Sequence, residues 1–169
     1  MNNMNKEWNK IVKWSILLMI AILFLGLSSC EVEEYEPSPY RVAMMDLNKA
    51  KSKWRYSEIT HYKLEQRKEC YCDDKVTSWN ILEVDLENKI IKVNDTLVVA
   101  GDLQKGWPWI KPIKPLFDLV EHEIKSIPYS LDVQYNDEYG YVEYLGVDPH
   151  YGIADDEYTY QIKNFEVIK

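Results

Sequence analysis

Cys70-Tyr71-Cys72 is the stretch of this chain whose residue types most readily do chemistry. Two thiols one residue apart can bond to each other, stay reduced, pair with a foreign thiol, or bind a metal as thiolates. Spacing weighs on each outcome. In a regular strand, residues i and i+2 lie about 6.6 Å apart with parallel side chains. A disulfide wants Cα atoms about 5.5–6 Å apart, so it needs a bulge or turn at Tyr71. Zinc would need two more ligands, and His61, His122 and His150 stand at no recognised spacing from the pair. The thioredoxin-like redox motif is Cys-x-x-Cys in a βαβ setting, and this chain has neither that spacing nor that setting.

Asp155-Asp156-Glu157, with Asp148 and His150 before them, form a second candidate. Carboxylate oxygens of this kind suit calcium, although the EF-hand spacing is absent; the plain alternative is a solvated loop or a cap on the next element. Asp132, Asp137 and Glu138 fall in other turns and would join only through folding. Trp107-Pro108-Trp109 is the third candidate, either a recognition surface, since tryptophan is enriched at binding hot spots, or a lid folded over a small core. The three histidines read as polar-face residues, His122 standing between Glu121 and Glu123. The sequence has no Gly-x-Ser-x-Gly elbow and no phosphate loop or dinucleotide fingerprint. No cofactor and no enzymatic activity are expected.

Elements to position these residues follow from periodicity. Leu47, Ala50 and Trp54 recur at helical spacing with lysines at 49, 51 and 53 on the other sides, an amphipathic helix. From Thr60 the period becomes two: Tyr62 and Leu64 alternate with His61, Lys63 and Glu65 in a strand that can run to Cys72. Leu82, Val84 and Leu86 mark a second strand, and the Glu87-Asn88-Lys89 turn leads to a third at Ile90–Val93. Gly106 to Pro112 is a loop by its breakers. Pro115 opens a second helix, with Leu116, Leu119 or Val120, Ile124 and Ile127 as its stripe and Pro128 as its end. Leu131–Tyr135, Tyr141–Val147 and Tyr158–Val167 are the last strands. The expected fold is α+β, a mostly antiparallel sheet with two helices on one face in the order α-β-β-β-α-β-β-β.

The amino terminus decides the compartment. Lys6, Lys10 and Lys13 precede an apolar run from Ile16 to Leu27, which closes on Leu27-Ser28-Ser29-Cys30. A basic lead, a short apolar stretch and small residues make a secretory signal. The uncharged run Trp14–Ser29 falls short of the roughly 20 residues a spanning helix needs. Leu-Ser-Ser-Cys resembles the lipobox of bacterial lipoproteins, which implies acylation of Cys30 as the mature amino terminus. Multiple acyl chains then hold an aqueous domain on a membrane. Loss of residues 1–29 removes three lysines and one glutamate and takes the net charge from −8 to −10. That charge opposes nucleic acid and anionic lipid heads. Glu31 to Pro39, four acids and two prolines, reads as an extended tether. It is either a solvated spacer or, by resemblance to the export signal of some Gram-negative lipoproteins, a mark of surface display. The expected organisation is a signal peptide over 1–29, a tether over 30–40 and one domain over 41–169.

Trp54, Tyr62 and Cys70-Tyr71-Cys72 resemble the Trp…Tyr…Cys-x-Cys run of an uncharacterised bacterial lipoprotein family, domain of unknown function 6174. Tyr135 to Tyr141 resembles that family's Tyr-Asp…Tyr-Gly-Tyr-Pro turn, and Asp148 with Ala154 to Glu157 resembles its later acidic segment. Val142 stands where the family usually has proline and Asn88 where it often has glycine. The resemblance implies a lipoprotein and supplies no activity. The expectation is therefore a lipid-anchored envelope domain, in an outer membrane and facing either side. It would act as a non-catalytic binding module toward a protein, peptide or glycan. The alternative is a metal or small-ligand carrier using Cys70, Cys72 and the acidic loop, and an unrecognised hydrolase is the third.

Overall fold

The structure, a computed structural model, describes residues 38–168 apart from 86, 88, 100 and 101. The expected signal peptide, Cys30 and nearly all of the tether lie outside the described residues, as do Leu86 and Asn88.

Helix α1 spans Pro39–Tyr56, with Ser38 as N-cap and Lys53 and Arg55 in its last turn, where cations complement the helix dipole. Pro39 and Tyr40, the end of the expected tether over 30–40, are instead the first two helical residues, because proline's fixed φ suits the start of a helix. Its buried side chains are Leu47, Ala50 and Trp54, the stripe the sequence predicts. Strand β1 (Tyr62–Cys70) follows, then a one-turn helix α2 (Asp74–Thr77), β2 (Asn80–Val84), β3 (Ile90–Val93), the two-residue β4 (Thr96–Leu97) and a short helix α3 (Asp102–Gly106). Helix α4 (Ile113–Ser126) precedes β5 (Ser130–Tyr135), β6 (Val142–Asp148) and β7 (Tyr158–Val167). The α+β class and the order of the main elements agree with the expectation; α2, α3 and β4 are additions.

All seven strands form one antiparallel sheet in the order β4-β3-β2-β1-β7-β6-β5. Two meanders therefore meet where the first strand pairs with the last. Tyr62, Leu64, Leu82, Val84, Leu145 and Tyr160 point to the core face, under α1 and α4 with their buried Leu47, Trp54, Leu116 and Val120. The other face is open, with charged residues alternating outward, the usual pattern of an antiparallel sheet packed on one side.

Local chemistry explains where elements stop. The second strand starts and ends earlier than its alternation suggests. The Asp85 carboxylate accepts the backbone N–H groups of Glu87 and Lys89, each at 3.0 Å, and turns the chain after Val84. The β3–β4 turn, Asn94-Asp95, has positive φ at both residues (49° and 64°), the type I′ geometry that matches strand twist. Ile127 is not part of the α4 stripe. Pro128 excludes a helical conformation from the residue before it, so Ile127 adopts a left-handed C-cap (φ 54°) and its side chain is exposed.

Candidate functional site

Strand β1 stops at Cys70 rather than running on to Cys72. The Cys72 N–H bonds the Cys70 carbonyl at 2.7 Å, an i→i+2 turn centred on Tyr71. That turn draws the two Cα atoms to 5.2 Å, and the sulfurs stand at bonding distance, 1.98 Å. Just beyond, the Asp73 carboxylate caps α2 by accepting from Lys75 N and Val76 N. The Lys75 ammonium then lies 5.8 Å from the Trp107 ring and 5.6 Å from the Trp109 ring. Two candidates that look unrelated in sequence are thus neighbours, linked by one turn of helix.

The tryptophan loop is held onto the core face by polar side chains of the sheet. Irregular backbone needs hydrogen-bond partners when it is covered. The fully buried Gln66 supplies two, its amide N–H donating to the Lys111 carbonyl (2.8 Å) and its oxygen accepting the Lys111 N–H (2.9 Å). The Tyr160 hydroxyl donates to the Trp109 carbonyl at 2.9 Å, and the Ile113 N–H donates to the Tyr62 hydroxyl at 3.1 Å. Burial pushes the Tyr160 phenol up to about 12 and raises Tyr62 further above its ordinary range. Both are neutral hydroxyls. Trp107 and Trp109 are half-buried and pack against the core, so the loop is chiefly a cover.

The acidic segment occupies the β6–β7 loop. His150 Nδ1 pairs with an Asp156 carboxylate oxygen at 2.8 Å, while the other Asp156 oxygen and one oxygen of Asp148 are buried without a hydrogen-bond partner. Asp155 sits in a left-handed turn and, with Glu157, faces solvent. Among the described residues, no group of three or more His, Cys, Asp or Glu side chains is arranged to hold a metal. Asp132 lies outward on β5, and Asp137 and Glu138 lie in the β5–β6 turn at the other end of those strands, so they do not join the cluster.

The open face carries an arrangement that the sequence analysis missed. Arg67 holds the Gln161 oxygen through two N–H donors (3.2 and 2.9 Å) and pairs with Glu69 at 2.9 Å. Glu69 in turn accepts from Thr159 and Gln161. Trp79, just before β2, lies beside this network, with the Arg67 guanidinium 4.8 Å and the Lys163 ammonium 3.9 Å from its ring. Lys163 also pairs with Glu65 at 3.3 Å. The Asn164 amide, and then Lys163, hold the Glu65 carboxyl below its ordinary range. Farther along, Glu83 takes His61 at 3.2 Å and Lys92 at 2.6 Å, and the Lys92 ammonium before the imidazole lowers its carboxyl pKa. The available signal was phase: Trp79 and Arg67 each stand one residue out of step with the core-facing pair Asn80 and Gln66.

A seven-stranded antiparallel sheet under two helices, with a closed Cys-x-Cys turn at one end and a fixed polar network on its open side, defines an α+β domain of one layer on another. The family of unknown function DUF6174 matches residues 46–167, and the chain belongs to it. No curated protein and no solved structure matches the chain significantly.

Proposed function

We propose that this chain is a lipid-anchored domain of a bacterial cell envelope that acts without catalysis, binding a protein, peptide or glycan through the open face of its sheet. The observation that carries this reading is the bonded Cys70–Cys72 pair in an exposed turn. Disulfides persist in oxidising compartments and are rare in the reducing cytosol, in keeping with the signal-like start and the lipobox-like Leu27-Ser28-Ser29-Cys30. Bonded sulfurs also offer a metal no thiolate, which weighs against the carrier reading. On the open face, the hydrogen bonds around Arg67, Glu69 and Gln161 fix polar groups in advance, and pre-ordered groups lose less entropy when a partner docks.

Two variants test the two halves of this reading. Cys30→Ser is expected to move the protein from the membrane pellet to the soluble fraction; retention in the pellet overturns the anchor. Arg67→Glu with Lys163→Glu is expected to abolish site-specific crosslinks formed from the open face in native envelopes. Unchanged crosslinks would remove that face as the binding surface.

A further inference from the structure

One end of the sheet carries five exposed apolar side chains on the loops that leave its strands. Cys70 pairs with Tyr158, Tyr158 with Val147, and Val147 with Leu131, so four strands end on one line. Just beyond that line stand Tyr71, Tyr129 and Tyr151, with Ile127 and Ile153, exposed by 84%, 59%, 79%, 65% and 55%. The Tyr129 and Tyr151 rings touch, their centroids 4.9 Å apart, and the Tyr129 N–H bonds the Pro149 carbonyl at 3.3 Å. The loops at 127–129 and 149–153 thus bring two exposed rings together, and exposed apolar surface of this kind marks interaction sites.

The place where the chain enters the domain identifies the occupant. The Tyr40 hydroxyl, in the first turn of α1, donates to the Pro128 carbonyl at 2.9 Å, between Ile127 and Tyr129. The segment ahead of Ser38 therefore joins the domain at this rim. From Cys30 to Ser38 is eight residues, a reach of no more than about 28 Å when fully extended. We infer that the rim of Tyr71, Tyr129, Tyr151, Ile127 and Ile153 docks onto the surface of the bilayer that holds the acylated Cys30. This rests on the lipid-anchor reading. Tyrosine suits the role, because its ring takes apolar contact while its hydroxyl stays wet at headgroup level. Asp148, Asp155, Asp156 and Glu157 share the rim, so the surface it fits is a zwitterionic one and anionic headgroups repel it. The acyl chains hold the domain; the rim orients it, with the open face of the sheet turned sideways and accessible.

The test uses the full lipidated protein in zwitterionic vesicles, with an environment-sensitive fluorophore on Ala154→Cys in the rim loop or on Tyr56→Cys at the far end of α1. Cys70 and Cys72 are bonded and Cys30 is acylated, so the introduced thiol is the reactive one. Nitroxide-bearing lipids are expected to quench the Ala154 label about threefold or more over the Tyr56 label. Adding Tyr129→Ser and Tyr151→Ser is expected to bring the Ala154 signal down to the Tyr56 level, with vesicle co-sedimentation and Tm unchanged. Equal quenching at the two positions in co-sedimenting protein overturns the docking and leaves the anchor standing. Equal quenching together with crosslinks from position 154 to a protein would make the rim a protein-binding surface, and likewise overturns it. Failure to co-sediment removes the anchor reading, and the docking falls with it.

Discussion

At the far end of the sheet, Phe165 lies within 4.7 to 5.9 Å of the rings of Tyr141, Tyr62, Tyr139 and Trp54, measured between centroids. At the near end, Tyr71, Tyr129 and Tyr151 face solvent. Both ends are rich in aromatic residues, so composition does not separate them. The far end is closed by the last turns of α1, whose backbone comes close to the β5–β6 turn at Gly140. A Cβ there would stand 2.6 Å from the Ala50 carbonyl oxygen, so only glycine lets the helix settle. At the near end α1 begins instead of covering, and α4 stops at Pro128. Aromatic residues become core where an element can lie over them, and surface where the chain arrives or turns away.

Substitutions of differing severity break or sharpen this contrast. Phe165→Ala at the closed end is expected to cost about 3 kcal/mol or more, read by chemical denaturation. A loss under about 1 kcal/mol would show that the ring cluster does not carry that end. Gly140→Ala combines a φ of 80° with the collision against Ala50, and is expected to cost about 2 kcal/mol; a neutral result would mean that the turn and the helix move apart freely. Tyr151→Ala at the open end is expected to change stability by no more than about 0.5 kcal/mol, in the same unfolding measurement.

The smallest effect lies between the two ends, where Glu121 on α4 takes Lys125 and Lys51 of α1, each at 2.5 Å. Lys125, and then Lys51, hold its carboxyl at about 2, below the ordinary 4.5. Because the folded value is the lower one, the pair's contribution is complete above pH 4.5 and fades as pH falls toward about 2. Both partners are partly exposed, so the contribution is modest. Glu121→Gln should flatten the decline of Tm with acid across that window, and an unchanged decline would show that the pair is without effect.

Wherever one residue type repeats at one period, the architecture was legible. The stripe Leu47, Ala50 and Trp54, the bounds of β3 and β7, and the helix ended by Pro128 follow from spacing and breakers alone. Gln66 was not legible as a core residue, because its partner is the backbone of Lys111 across the fold. The turn at Tyr71 was legible only as a condition on the disulfide. Of the candidate site, the sequence marks the cysteines, the tryptophans and the acids singly. That they gather at one end depends on pairing between β1 and β7, from opposite ends of the domain. Trp79 was passed over because it lies outside any run, and only the register of β1 against β2 sets it beside Arg67.

That central pairing has a consequence for how the molecule comes into being. The middle of the sheet stays one strand short until the ten residues of β7 are available. A polypeptide delivered amino end first, from a ribosome or through a pore, holds β1 unpaired on that side until β7 has followed it. It then completes itself late, by a long-range closure of the kind that makes folding slow.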